Sequence, residues 1–208
     1  MLVDMHLHES THSKDSFITL DQIVRRAKYR GLDAVCITDH DSMGLKEQAE
    51  EYSRKTGFPI FVGVEYYSLK GDITAWGIDT FPKERIDPQK FIDFVHFSGG
   101  FTVSCHPFRN NNRGLEHNLL NIKNLNGIEV LNGSTTLTAN RQALAYCREL
   151  GLKPIGASDS HRMHQIGKYV TWLPEMVNNL KDFVSQLRER PTLPAVWNGI
   201  HYDVIEVF

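Results

Sequence analysis

The 208-residue sequence predicts an α/β protein built of parallel β-α units with its helices on the outside. Three observations carry that expectation. Short apolar, β-branched runs alternate with amphipathic helical segments along the chain, and the apolar runs repeatedly end in polar side chains. No linker, low-complexity stretch or internal repeat interrupts the alternation. One domain spanning residues 1–208, large enough to bury a sizeable core, is therefore expected.

The first element lies in "VDMHLHESTHSKDS", Val3 to Ser16. As a strand it puts Asp4, His6 and His8 on one face and Val3, Met5 and Leu7 on the other, a polar convergent side against an apolar packing side. "TLDQIVRRAKYRG" follows as a helix, with Leu20, Ile23, Val24 and Ala27 at helical spacing and Gly31 as its stop. "DAVCITDHD" is a strand, and "SMGLKEQAEEYSRKTG" a helix opened by Ser42 and closed by Gly57. "FPIFVGVE" is a strand, "GDITAWGID" a hairpin or extra strand, "DPQKFIDFVHFSGG" a helix and "FTVSCHPF" a strand. "RNNNRGLEHN" is a long loop just past a strand end, where barrels keep their binding loops. Then come strand "GIEVLNG", helix "TANRQALAYCRELG", strands "KPIGASDSH" and "KYVTWLP", and helix "MVNNLKDFVSQLRER". This gives about seven parallel strands, one fewer than the eight of a full β/α barrel. The tail "PAVWNGIHYDVIEVF" is a candidate closing strand.

A formal net charge of −2 gives no whole-protein attraction for nucleic acid or an anionic membrane. Cys36, Cys105 and Cys147 sit among apolar neighbours without a C-x-x-C spacing, as in a reduced intracellular protein. No apolar run approaches the ~20 residues that span a bilayer, and no secretory leader opens the chain, so a cytoplasmic location is expected.

The ten histidines gain meaning from their positions. His6 and His8, His40, Glu65, His106, and Asp159 with His161 each end a different strand. A lone histidine at a strand end is usually a hydrogen-bonded or exposed residue. A barrel, however, gathers its strand ends into one ring, and these residues taken together read as a metal site. His96, His117, His164 and His201 fall in a helix, loops and the tail and read as ordinary polar residues, and Trp76, Trp172 and Trp197 as packing residues.

"DMHLH", "ITDHD", "GVE", "SCHPFR" and "ASDSH", in this order and spacing, resemble the successive motifs of the PHP (polymerase and histidinol phosphatase) superfamily. The similarity covers nearly the whole chain. It implies a distorted TIM-like barrel of seven β-α units, (β/α)7, with two or three divalent metal ions at the carboxyl ends of the strands. By resemblance His6, His8, Glu65 and Asp159 hold one metal, and Glu65 bridges to a second that also takes His106. His40, His161 and Asp15 hold a third. The chain departs from the pattern in two places: Thr74 stands where the family often has a further histidine, and Asp15 lies about one residue farther from His8 than the pattern has it. His12 is a local alternative to Asp15, and the second metal is expected to be weakly held or completed by water.

Imidazole and carboxylate ligands suit zinc, manganese or iron without choosing among them. A carboxylate that bridges two ions holds them about 3.5–4 Å apart, close enough to share a hydroxide that attacks phosphorus in line. Glu65, Asp159 and Arg109 are the expected catalytic residues. Arg109, in "HPFR", offers a planar fork to a phosphate, with Arg113 and Arg162 as further substrate-binding candidates and Lys14 a weaker one. Asp4 either orients a ligand histidine or is a buried acid satisfied by backbone donors. The expected function is a metal-dependent phosphoesterase acting on a phosphomonoester of a small molecule. The alternatives are a phosphodiesterase or a nucleotide or short-oligonucleotide phosphatase with the same metal core, and a non-catalytic metal-binding PHP module. An amidohydrolase generally carries a bridging lysine on a barrel strand, and here Glu65 occupies that place. A compact, non-basic chain argues against a larger nucleic acid as partner.

Overall fold

A computed structural model describes residues 1–207. The elements in order are β1 (Leu2–Leu7), α1 (Leu20–Tyr29), β2 (Ala34–Ile37), α2 (Lys46–Thr56), β3 (Ile60–Val62), β4 (Val64–Ser68), β5 (Gly71–Trp76), α3 (Pro88–Phe97) and β6 (Phe101–Ser104). A short 3-10 helix (Glu116–Asn121) precedes β7 (Gly127–Asn132), α4 (Leu137–Leu150), β8 (Lys153–Ala157), β9 (Tyr169–Trp172), α5 (Leu180–Glu189), β10 (Leu193–Trp197) and β11 (Tyr202–Val204). None of the described helices is long and apolar enough to cross a membrane.

The strands form two sheets, β11-β10-β9-β1-β2-β3 and β4-β5-β6-β7-β8. Val3, Met5, Ala34, Cys36 and Phe61 of the first sheet pack with Trp76, Phe101, Val103, Ile155 and Ala157 of the second, so the sheets share one inner core. The outer face of the first sheet packs Val35, Ile37 and Val62 on Ile23 and Val24 of α1 and Ala49 of α2. The second packs Ile73, Ala75, Ile128 and Val130 on Phe91 and Ile92 of α3 and Ala143 and Cys147 of α4. Alternating residues of each strand thus serve two apolar layers, as expected of strands covered on both faces.

The ladders depart from a ring of seven parallel units. Among the described residues the parallel ladders are β1–β2, β2–β3, β6–β7 and β7–β8 alone. β5 is a hairpin partner antiparallel to both β4 and β6, β9 runs antiparallel to β1, and the tail adds a second hairpin, β10–β11, on the far side of β9. The sheets meet through isolated bridges, Leu7 to Ser160 and His40 to Glu65, and no continuous ladder closes among the described residues. One junction is Gly63, between β3 and β4: a Cβ there would fall 2.4 Å from the carbonyl oxygen of Ala75, so only glycine lets the strand pass.

Helix starts follow local capping. Thr19 and Gln22 form a capping box on α1, and Asp87, Thr136 and Asn179 accept from backbone N–H groups at the starts of α3, α4 and α5. α2 begins at Lys46, later than Ser42, because the Ser42 hydroxyl accepts from Gly44 N at 3.1 Å and caps a turn instead.

The register of β1 on β2 slips between Asp4 and Leu7. Val3 and Met5 therefore join the inner core while Leu7 packs outward with α1. Asp4 Oδ1 accepts from Ser158 N and Oδ2 from Gly167 N, each at 2.9 Å, and burial pushes its pKa up to about 6. Asp4 thus ties β1 to the loops after β8 and orients no ligand histidine. Asp4→Ala leaves two buried N–H groups without an acceptor and is expected to cost about 2–4 kcal/mol in urea unfolding; a loss under about 0.5 kcal/mol, the size of an ordinary surface substitution, would refute this role.

Candidate metal centre

The carboxyl ends of β1, β6 and β8 bring His6, His8, His106 and Asp159 together with Glu65, which begins β4 and does not end a strand as expected; all five are buried, with His40 and His161 half-exposed beside them. His106 (φ 35°) and Asp159 (φ 51°), each just past its strand, adopt the left-handed backbone region, which turns their side chains off the pleat at a local energetic cost. His6 Nε2 and His8 Nε2 lie 3.0 Å apart. Glu65 Oε2 is 3.5 Å and 3.4 Å from those two nitrogens, and Asp159 Oδ1 is 3.7 Å and 3.4 Å from them. A tetrahedron of nitrogen and oxygen ligands about 2.1 Å from an ion has edges of about 3.4 Å. Five of the six separations among these four atoms lie between 3.0 and 3.7 Å, around that figure, with His6, His8 and Asp159 as the compact trio and Glu65 Oε2 beside both histidines.

Two further groups adjoin the first. Glu65 Oε1 is 2.8 Å from His106 Nε2, and Asp72 Oδ2 and Asp159 Oδ2 are each 4.0 Å from the same nitrogen. Asp15 Oδ2 is 3.1 Å from His40 Nε2 and 3.4 Å from His161 Nε2. The His8 ring lies 4.2 Å, centroid to centroid, from both His40 and His161. Glu65 thus turns one oxygen to the first group and the other to the second. His12 packs against Gly44, where a Cβ would fall 2.5 Å from its ring, and belongs to none of the ligand groups.

The donor set fits divalent cations. Glu65 Oε2, Asp72 Oδ1, His40 Nδ1 and His106 Nδ1 are buried without a hydrogen-bond partner, although His40 Nδ1 and Glu65 Oε2 approach to 2.6 Å. Buried lone pairs without donors, such as those of Glu65 Oε2, are costly unless a cation meets them, whereas His106 Nδ1 is the nitrogen turned away from Glu65. Burial pushes His8 down to about 3, so that it is a neutral imidazole with its lone pair available. Burial opposes the charge on Glu65 and Asp159 too, but the neighbouring histidines, with Arg109 for Asp159, hold both well below the usual carboxylate range. Asp72 moves the other way, up to about 7, through burial and the adjacent charge of Glu65.

Among the expected substrate-binding residues, Arg109 Nη2 binds Asp159 Oδ2 and donates to Asn132 Oδ1 at 3.0 Å. Arg113 donates from Nε to Asp72 Oδ2 at 2.6 Å. Arg162 is exposed, with its guanidinium 4.6 Å from the Phe17 ring centroid, and makes no ion pair with the clustered carboxylates. Lys14, Arg85, Arg113 and Tyr67 line a cavity of about 440 Å³ that opens beside His40 and Asp15. A larger one of about 540 Å³ lies away from this cluster, between α2 and α5.

Glu129 of β7 is a residue that motif reading passes over. Its Oε1 is 2.7 Å from His6 Nδ1, and its Oε2 accepts from His106 N at 2.9 Å and Asn132 Nδ2 at 2.8 Å. It therefore fixes which nitrogen His6 turns to the cluster. The signal was present in "GIEVLNG", where an acid alternates with core residues Ile128 and Val130. Asp39 plays a parallel part: its Oδ1 accepts from Ser13 Oγ at 2.7 Å, and that hydroxyl lies 3.2 Å from His8 Nδ1.

Comparison with known proteins gives the family. The PHP domain family model matches residues 4–148, and a PHP-associated model matches residues 138–192. The chain belongs to the PHP domain family. An uncharacterized protein of Methanocaldococcus jannaschii is 23% identical over 141 residues, 64% of this chain and 82% of that protein. A two-domain Bacteroides vulgatus protein, described as containing a predicted PHP-like metal-dependent phosphoesterase, superposes with a TM-score of 0.74 at 22% identity, covering 93% of this chain and 64% of that one. This chain therefore spans less than two thirds of the Bacteroides protein. The lesion-specific endonuclease EndoQ of Pyrococcus furiosus superposes with a TM-score of 0.62 at 12% identity, covering 92% of this chain and 57% of the other.

Removing the Glu129 carboxylate frees the His6 ring to turn. Glu129→Ala is expected to weaken divalent-metal binding about 10- to 100-fold, read by competition with a chelator; an unchanged affinity would remove Glu129 from any orienting role.

Proposed function

We propose that this protein is a metal-dependent phosphoesterase that hydrolyses a phosphomonoester of a small molecule. The observation that carries the reading is the four-atom arrangement of His6, His8, Glu65 and Asp159, with Arg109 bonded at its rim. In this reading His6, His8, Glu65 and Asp159 would hold one ion, and Glu65 and His106 would hold a second. Asp15, His40 and His161 hold a third. Bound zinc, manganese or iron would supply a water of lowered pKa and neutralise charge on the phosphoryl oxygens.

The protein's own groups do the rest. Glu65, Asp159, Asp72, Asp15 and Glu129 bring five acids to the cluster, set against Arg109, Arg113 and the raised pKa values of His6 and His40, so an anionic phosphate is favoured only where further cations offset the acids. Arg109 is the cation nearest the first group, and its buried Nε has no hydrogen-bond partner, so the guanidinium has donor capacity left for a phosphoryl oxygen. Glu129 and the Asp39–Ser13 pair hold His6 and His8 in place, so little reorganisation is needed when charge builds up on the substrate. The cavity beside His40 is of small-molecule size, which favours a compact phosphomonoester over a polymer.

The direct test is phosphate release from a panel of phosphomonoesters, with an aryl phosphodiester alongside, after loading with manganese, zinc or iron. Turnover should depend on the metal and fall about 100-fold or more in His6→Ala, Glu65→Ala and Asp159→Ala. Preferred turnover of the diester would point to the phosphodiesterase or oligonucleotide alternative. Silence across the panel with metal bound would point to the non-catalytic module or another hydrolase. Arg109→Ala should raise KM about 10- to 100-fold, the worth of a charge-assisted hydrogen bond of about 1.5–3 kcal/mol; unchanged kinetics would take it out of the site.

A further inference from the structure

Strand β5 carries no histidine. Thr74 faces Glu65 across the β4–β5 ladder, and its hydroxyl donates to the carbonyl oxygen of Val103 at 3.4 Å. Two residues nearer the mouth, opposite Tyr67 and on the same face of the strand, stands Asp72, 1% exposed. Its Oδ2 accepts from Arg113 Nε at 2.6 Å, while its Oδ1 is buried and has no hydrogen-bond partner. The Arg113 guanidinium rests 3.9 Å from the Tyr67 ring centroid, which fixes the fork that holds this carboxylate. Asp72, Glu65 and His106 each offer a ligand atom within 4.8 Å of the other two.

We propose that Asp72 is a protein ligand of the second metal position, with Glu65 and His106, and that it takes over the part Thr74 cannot play. The inference rests on the metal-dependent reading above. Oδ2, the oxygen that Arg113 holds, also lies 4.0 Å from His106 Nε2, and the buried Oδ1 has no partner, so a buried carboxylate grouped with two other ligand-type residues is left half satisfied and calls for a cation. The resulting set of two carboxylates and one imidazole is harder than one completed by a second imidazole. It therefore moves this position towards manganese or magnesium and away from zinc.

The test uses the full chain, stripped with chelator, reloaded with manganese or zinc, and assayed for bound metal per chain by mass spectrometry and for affinity by chelator competition. Asp72→Asn, which keeps an acceptor for Arg113, should bind one manganese fewer than the wild type or bind the weakest one at least 10-fold less tightly, with a smaller effect on zinc. Asp72→Ser should do the same, and Thr74→Val should leave the metal count unchanged. Retention of the remaining ions at wild-type affinity shows that a variant is folded. Wild-type manganese content and affinity in both Asp72 variants would overturn this inference alone. A wild-type chain that takes up no divalent ion would overturn it together with the phosphoesterase reading.

Discussion

The buried Glu65 carboxylate is the constraint on which the rest of the molecule depends. Its backbone is one of the joints between the two sheets: its N–H donates to Asp39 O at 3.2 Å and its carbonyl accepts from Asp41 N at 2.9 Å. Its side chain meets His6, His8 and His40 through one oxygen and His106 through the other. Moving β4 relative to β2 would therefore break the sheet junction and the ligand geometry together. Fold and site share one residue.

The strand ends are built to aim side chains more than to continue ladders. β1 slips its register before Leu7, β7 slips between Glu129 and Leu131, and His106 and Asp159 adopt left-handed backbone past β6 and β8. Each irregularity sits at the mouth, where the inner core gives way to the polar cluster. Bulges and strained dihedrals of this kind cost stability locally and are tolerated where surrounding contacts over-determine them. Here Asp4, Glu129 and Asn132 supply those contacts through buried hydrogen bonds that cross between strands.

Charge sets the chemistry available. A cluster so rich in carboxylate disfavours anions by itself, and its arginines are engaged with ligand-type acids, Arg109 with Asp159 and Arg113 with Asp72. Cations bound among the histidines would reverse the local field and release arginine donors for an incoming oxyanion. This balance explains why histidines, acids and arginines occur side by side at strand ends of a chain whose overall charge is close to neutral.

Much of this was legible in the residues. The alternation of apolar runs and amphipathic segments determined the β-α character. The histidines and acids that end successive strands determined that a polar cluster would form at one rim, because strand direction alone gathers such ends together. The caps at Thr19, Asp87, Thr136 and Asn179 are local chemistry, yet the one N-cap read from the sequence, Ser42, closes a turn instead. Only the tertiary structure decided that β5 and β9 run antiparallel to their neighbours, that the ladder parts at Gly63, and that the Asp4 carboxylate is taken up by backbone donors of Ser158 and Gly167. It also decided that the partner of His6 Nδ1 comes from residue 129, more than a hundred positions away. The physical reason is the same in each case: periodicity reports which side of an element a residue occupies, whereas register slips, strand direction and the pairing of buried charges are settled by contacts between elements distant in sequence.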